Sequence, residues 1–359
     1  MAAEEFLTTA LLSWYEPERR PLPWKHIDDP YRIWLSEIIL QQTRAEQGRP
    51  YYEKFVKKYP AVADLALAPE DELMKMWEGL GYYSRARNLH AAAKVIHNEL
   101  GGAFPSTFED ILKLKGVGPY TAAAIASFAF NLPHAVVDGN VYRVLSRYFD
   151  YEDATDTTAG KRYFAELAQR VLASDNAGRY NQAIMDFGAT ICTPKAARCT
   201  ECPLATQCQA LEHGTVYQRP VKLKKLQRRT RYFNYLVVRH PDFRIIEKRT
   251  GKDIWQNLYQ FPLLETDAPL ESWSELQQQG QWPSWLPIEN LSFQRKVGPR
   301  KQELTHQRII AQFWELDFQG EATPDAPDNF SVVKPENCRK FAFPKIIGWY
   351  FDDNLLYLF

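Results

Sequence analysis

The chain lacks net charge: its 359 residues carry 44 basic and 44 acidic side chains. On totals alone that balance argues weakly against a nucleic-acid binder, so the distribution of charge has to be read instead. No apolar run approaches the roughly 18–20 residues that a membrane span needs. The opening MAAEEFLTTALLSWYEPERR is acidic at its start and amphipathic in a helical pattern, without the basic region and apolar core of a signal peptide. A soluble intracellular protein is expected. There is no internal repeat and no low-complexity tract. Cysteine is scarce, five in all, yet four of them crowd between positions 192 and 208. Inside a cell structural disulfides are disfavoured, which turns that window toward metal or cluster ligation. Cys338 stands apart and reads as a packed thiol.

What is present suffices for two domains. Hydrophobic content is 45% and charged content 25%, ordinary for a globular protein. Apolar residues at three- and four-residue spacing predict helices over 31–46, 69–78, 85–100, 108–114, 120–130, 139–149, 160–173 and 180–191. Gly79, Gly81, the Gly101–Gly102 pair, the run GVGP and Pro133 separate them. An all-α domain over 1–213 follows. Between Arg219 and Arg231 the stretch RPVKLKKLQRRTR carries seven basic residues and no acid. It is a basic linker over 214–230, either solvated or DNA-facing. Beyond it RYFNYLVVRH, FRIIEKR, HQRIIAQFWELDF and the terminal LLYLF are β-branched, aromatic and alternating. They predict a second, α+β domain over 231–359.

The cysteines follow Cys-x6-Cys-x2-Cys-x5-Cys through Cys192, Cys199, Cys202 and Cys208. Four thiolates on one short loop suit tetrahedral zinc or a [4Fe–4S] cube. Structural zinc sites usually show two tight knuckles, and only Cys199–Cys202 has that form, so the uneven arms favour the larger cluster. Upstream, Gly116-Val117-Gly118-Pro119 lies between two predicted helices. Gly116 and Gly118 let the backbone turn and approach a ligand, and Pro119 suits a first helical turn. Exposed N–H groups at a positive helix end make a phosphate seat. The following TAAAIA is small enough for close packing.

Two carboxylates carry the candidate chemistry. Asp138, in VVDGNVYRV, directly precedes a predicted helix and reads as its N-cap. The helix N-terminus favours the ionised form, so Asp138 is expected to stay negative and able to stabilise a cationic sugar. Glu37 shares a helix face with Ile33, Leu40 and Gln41 and is the only acid between Ile33 and Leu40. Most helical Glu side chains are solvated; burial in this run would instead raise its pKa and suit it to general-acid work. One raised and one depressed carboxylate is the pairing that glycosidic cleavage needs.

Hairpin, VDGNV aspartate and cysteine loop together resemble the helix–hairpin–helix DNA glycosylases of the endonuclease III superfamily, and within it the adenine DNA glycosylases. SEIILQQTR, WEGLGYYSRARNLHAAAK, LKGVGPYTAAAIASFAF, VVDGNVYRVLSR and the cysteine loop carry the likeness in order over roughly residues 23–210. The resemblance implies a helix–hairpin–helix subdomain over about 24–133 and a cluster subdomain from 1–23 and 134–213. It implies a [4Fe–4S] cluster on the four cysteines, and a monomer acting in the bacterial cytoplasm, at the nucleoid, on double-stranded DNA with adenine opposite 8-oxoguanine or guanine. Glu37 would protonate adenine at N7, Asp138 would stabilise the oxocarbenium, and Tyr120 and Asn140 would hydrogen-bond around acid, aspartate and water. Gln42 and Tyr82 match residues inserted into the base stack. Thr43 and Leu80 match contacts to 8-oxoguanine. Trp24 and Lys25 match a Trp-Arg pair lining the adenine pocket, with lysine a departure that loses the planar guanidinium.

Bifunctional relatives place a lysine just after the hairpin as Schiff-base nucleophile. Tyr120 stands there, and Lys115 precedes the hairpin. A monofunctional glycosylase is expected. The alternatives are an endonuclease III-like glycosylase for oxidised pyrimidines, which Tyr120 and the appended domain oppose, and a non-catalytic DNA-binding relative, which Glu37 and Asp138 oppose. The C-terminal region resembles the Nudix-like domain of adenine glycosylases, with GKDIWQNLYQFP leading to its centre. The following ETDAPLESWSELQQQ lacks the acidic helix of a pyrophosphatase. Thr305 and His306 occupy the place of a lesion-recognising Ser-His pair, with Leu304 replacing the usual aromatic before it.

Overall fold

The helical signals of the first 210 residues resolve into short elements joined by tight turns. The computed structural model describes residues 2–16, 20–223, 227–279, 282–320 and 322–353. Its helices here are α1 (Ala3–Trp14), α2 (Pro30–Leu40), α3 (Ala45–Lys58), α4 (Val62–Leu67), α5 (Glu70–Trp77), α6 (Ser84–Glu99), α7 (Phe108–Lys113), α8 (Pro119–Phe130), α9 (Gly139–Tyr148), α10 (Thr158–Arg170), α11 (Ala177–Thr190) and α12 (Gln209–Glu212). The expected single helix over 31–46 is two. Helix α2 stops at Leu40, Gln42 takes left-handed backbone at φ 57°, and α3 restarts at Ala45. QQTR holds neither glycine nor proline, so tertiary packing overrides local propensity there.

The described residues form two units, one of 1–67 with 88–224 and one of 68–87 with 225–359. The core of the first joins α1, α9, α10 and α11 through Leu7, Leu11, Leu145, Phe164, Ile184 and Phe187, each 2% exposed or less. Each such side chain contributes about 1.5–3 kcal/mol by leaving water. Ala122, Ala123, Ala124 and Ala126 on α8 are buried without bulk, and α8 packs on both α2 and α11. That passage brings the helix carrying Glu37 beside the hairpin.

The second unit is a mixed sheet of β1 (Arg229–Arg239), β2 (Arg244–Lys248), β3 (Tyr259–Gln260), β4 (Leu263–Thr266), β5 (Leu291–Glu303), β6 (Gln307–Phe318) and β7 (Phe330–Val333), with helices α13 (Trp273–Gln277) and α14 (Lys345–Asp353). The sheet order is β3-β2-β1-β6-β5, with β4 also on β1 and β7 on β2. β1 and β6 run parallel and the other pairs antiparallel. Tyr350 of α14 stacks on Phe313 of β6 at 4.4 Å between centroids. Strand β5 escapes sequence pattern because QRKVGPRKQ is charged and mostly solvated. It is held instead by its hairpin with β6. The predicted terminal strand LLYLF and the Lys224–Leu226 part of the basic linker lie outside the described residues. Among the described residues no helix is long and apolar enough to cross a membrane.

Candidate active site and lesion-facing loop

Asp29 starts the helix that carries Glu37. Its carboxylate accepts hydrogen bonds from Tyr31 N at 2.9 Å and Arg32 N at 3.2 Å, and Pro30 fills the first turn. Glu37 sits eight positions into the chain from that cap and is 7% exposed. Burial lifts its carboxyl to about 7, against a lowering hydrogen bond from Tyr120, while the charge of Asp138 lifts it further. Gln41 ends α2 and donates from Nε2 to Thr121 Oγ1 at 3.2 Å, tying α2 to α8. Glu37, Tyr120 and Asp138, expected from three separate motifs, are therefore electrostatic neighbours.

Asp138 caps α9 as expected. Oδ1 accepts from Asn140 N and Val141 N, both at 2.8 Å, and Oδ2 accepts from Asn140 Nδ2 at 2.7 Å. Its pKa moves opposite to expectation. Burial raises the carboxyl and outweighs the hydrogen bonds and the charge of Arg143, which lower it. Three hydrogen bonds and the charge of Arg143 oppose burial at Asp138, against one hydrogen bond from Tyr120 at Glu37. Arg143 was not singled out in sequence, although it lies in the same VVDGNVYRV segment. Its guanidinium donates to Asn140 Oδ1 at 2.8 Å, Gly188 O at 2.6 Å and Cys192 O at 2.6 Å. It fixes the amide of Asn140 and anchors α9 to α11.

The hairpin forms as read. Gly116 is left-handed at φ 82°, and a Cβ there would meet Asn88 Cβ at 2.7 Å. Gly118 caps α8 with Pro119 in its first turn, and a Cβ on Gly118 would meet nothing within 4 Å, leaving open space where a phosphate could approach. Gln42 is exposed on its left-handed backbone and Thr43 is half-buried. Trp24 lines a cavity of about 500 Å³ with Tyr15, His26, Arg179 and Gln182. Neither Glu37 nor Asp138 lines it. Lys25 is buried and donates to Asp186, which Arg20 also reaches at 3.1 Å. Burial lowers the Lys25 pKa against that pairing. Sequence reading missed Asp186 because no motif marks a partner on α11.

Cys192, Cys199, Cys202 and Cys208 are half-buried free thiols, and Cys338 is buried apart. Burial raises the Cys202 pKa most, and the charges of Cys192, Cys208 and Cys199 raise it further. Among the described residues they do not converge tightly enough to form a group for a metal ion. The donor set is all sulfur, and Cys192 Sγ lies 3.4 Å from Arg147 Nη1. A cationic rim of that kind suits a negatively charged iron–sulfur cube. Lys195 and Arg198 stand exposed on the same loop.

In the second unit Trp77 Nε1 donates to Gly81 O at 3.1 Å, and Arg85 Nη2 donates to Leu80 O at 3.3 Å and Gly81 O at 3.2 Å. Gly79, Gly81 and Tyr82 all have positive φ. Tyr82 is 49% exposed, under a guanidinium stack from Arg85 at 5.7 Å. Leu80 is buried at 6% exposure and does not face solvent as a lesion contact would. Thr305 and His306 form the β5–β6 turn, closed by Leu304 N donating to Gln307 O at 2.8 Å. Tyr82 and Thr305 share a hydroxyl–hydroxyl hydrogen bond of 2.5 Å, which joins two residues 223 positions apart. His306 is exposed beside them.

Residues 35–170 match the HhH-GPD superfamily of base excision DNA repair proteins, and residues 234–351 match the NUDIX domain. The adenine DNA glycosylase of Buchnera aphidicola subsp. Baizongia pistaciae is 36% identical over 270 residues, 73% of this chain and 75% of that protein. The human adenine DNA glycosylase is 42% identical over 210 residues, 56% of this chain and 38% of that protein. Among solved structures a thermostable thymine-DNA glycosylase aligns with TM-score 0.54 at 33% identity, over 59% of this chain and 97% of its own. A non-covalent endonuclease III–DNA complex aligns with TM-score 0.51 at 20% identity, over 60% of this chain and 99% of its own. The last shows likeness of fold alone.

Proposed function

The chain belongs to the adenine DNA glycosylases within the HhH-GPD superfamily of base excision DNA repair proteins, and from that membership we propose how its residues release adenine paired with 8-oxoguanine or guanine. It is a DNA glycosylase that hydrolyses N-glycosidic bonds. The observation that carries the mechanism is the buried Glu37 carboxyl, lifted to about 7, hydrogen-bonded to Tyr120 and close enough to feel Asp138. A flipped adenine enters beside it. Protonated Glu37 gives its proton to N7 while the C1′–N9 bond breaks, with the electron pair staying on N9. Adenine leaves neutral. Asp138, ionised, stabilises the cationic sugar. Glu37, now a carboxylate, takes a proton from the water that adds to C1′. Asn140, held by Arg143, keeps Asp138 Oδ2 aimed by its amide. Tyr120 offers no amine, so no Schiff base forms and strand cleavage is left to other agents.

Gly116 and Gly118 seat a phosphate, Trp24 and Lys25 border the adenine side, and Gln42 and Thr43 enter the helix near the lesion. Thr305, with Tyr82 and His306, reads the base opposite adenine, its hydroxyl suited to the altered N7–H and O8 edge. Cys192, Cys199, Cys202 and Cys208 would hold a [4Fe–4S] cluster, which would supply a structural crosslink fixing Lys195 and Arg198 for the phosphate backbone. The enzyme acts as a monomer on DNA in the bacterial cytoplasm. The test incubates the chain with duplexes holding adenine opposite 8-oxoguanine, adenine opposite guanine, thymine opposite guanine, or thymine glycol, and reads breaks with and without hot alkali. Breaks at adenine that need alkali are expected. Breaks at thymine glycol without alkali, or at thymine opposite guanine in preference, would overturn the assignment.

A further inference from the structure

The segment 68–87 lies early in the chain, yet it folds with the C-terminal residues. Its ties are polar and specific. Asp71 on α5 accepts from Lys248 Nζ at 2.6 Å and from Tyr259 OH at 3.1 Å. Glu70 accepts from Asn257 Nδ2. One turn on, Lys75 donates to Phe341 O at 3.0 Å, and Glu78 accepts from Phe343 N at 2.9 Å. Arg87, past the loop, donates to Gln256 O at 2.7 Å. Both ends of the loop that carries Tyr82 are thus fastened to the C-terminal residues of the unit that also carries Thr305. Between those ends Trp77 and Arg85 hold the backbone carbonyls of Leu80 and Gly81, so there is little slack for Tyr82 to move independently.

We propose that Asp71 and Glu78, with their partners Lys248 and Phe343, are positioning residues for opposite-base recognition, because the C-terminal unit sets through α5 where Tyr82 stands. The inference rests on the reading of Tyr82 and Thr305 as the lesion-facing pair. A lone ion pair as exposed as Asp71–Lys248, at 48% and 29%, would contribute little to stability. Its value here is directional. With Lys248 and Tyr259 both bound, the carboxylate of Asp71 fixes the rotation of α5, and a change there displaces a loop rather than unfolding a unit.

The test uses the full chain and compares Asp71→Asn, Lys248→Met, their double variant, the exchanged pair Asp71→Lys with Lys248→Asp, and Tyr82→Ala. Each is read for duplex Kd and saturating excision rate on adenine opposite 8-oxoguanine and opposite guanine, with thermal melting alongside. The single clamp variants should weaken binding to the 8-oxoguanine duplex by about two- to fivefold, the size of one partly exposed pair. Binding to the guanine duplex should change less, so discrimination falls. The double variant should cost no more than the worse single one, because the pair is one interaction. The exchanged pair should recover part of the discrimination. Saturating rates should move less than Kd. If melting falls while discrimination stays at the wild-type value, the clamp is merely structural and the inference fails. If Tyr82→Ala also leaves discrimination intact, the lesion-facing reading fails with it; if Tyr82→Ala lowers discrimination and the clamp variants do not, the clamp alone is wrong.

Discussion

Glu37 is the residue on which sequence and structure agree for the same physical reason. A single acid in an apolar helical run has nowhere to go but the interior, and it is 7% exposed. Its pKa of about 7 has two consequences of the same sign. The group must be protonated to act as an acid, so excision should fall about tenfold per pH unit above 7. A single-turnover pH profile flat from 6 to 9 would contradict that. The folded pKa also exceeds the unfolded one. The stability this proton contributes is therefore full below about 4.5 and lost as pH rises through about 7, in all about 3 kcal/mol by pH 8. Glu37→Gln should lose less stability than wild type between pH 5 and pH 8, by about 2.5 kcal/mol, in urea titrations. Parallel losses would mean the carboxyl is not buried in solution. Asp138 was legible as a cap but not in its pKa, because desolvation comes from neighbours that no local motif names. Lys25 was legible as a departure, but its partner Asp186 lies 161 positions away.

At the scale of elements, the crossing of α9 and α11 positions the Asp138 cap. A Cβ on Gly188 would meet Asn140 Cβ at 2.7 Å and Asn140 Cα and O at 3.1 Å. Gly188→Ala must push the first turn of α9 away from α11. It should cost about 1–3 kcal/mol and lower the saturating excision rate more than duplex affinity. Gly348→Ala is the contrast, since a Cβ there meets nothing within 4 Å inside α14. It should be neutral or stabilising by up to about 1 kcal/mol. Equal melting temperatures for both variants would contradict the close packing. Most elements were legible where apolar period and turn chemistry coincide, as at Asp29-Pro30 and Gly118-Pro119. The α2–α3 break and strand β5 were not. The first has no breaker residue, and the second is organised by pairing with β6 rather than by burial.

Over the whole molecule, chain order and spatial order part company at residues 68–87. Tyr259 and Asp71 are 188 positions apart, and composition gives no sign that they meet. The cysteine loop is the opposite case, a local pattern legible at once. Its four thiols, with the cationic side chain of Arg147 at Cys192, lead to a prediction about the purified chain. It should contain about four iron atoms. Cys199→Ser should lose iron and melt at lower temperature, whereas Cys338→Ser, buried far along the chain, should keep its iron. Stoichiometric zinc in place of iron, or an iron content unchanged by Cys199→Ser, would contradict the assignment. On the proposed reading the cysteines mark the scaffold, and the reaction is assigned to the carboxylates of α2 and α9.

That division of labour comes down to adenine release by Glu37→Gln, measured under single turnover on a duplex with adenine opposite 8-oxoguanine, beside the duplex Kd. The amide keeps the shape of the side chain and removes the proton that N7 needs. Binding should stay within about threefold of wild type while release falls by at least about a hundredfold, the usual contribution of a positioned general acid. Release within tenfold of wild type, with binding intact, would mean that Glu37 is not the acid.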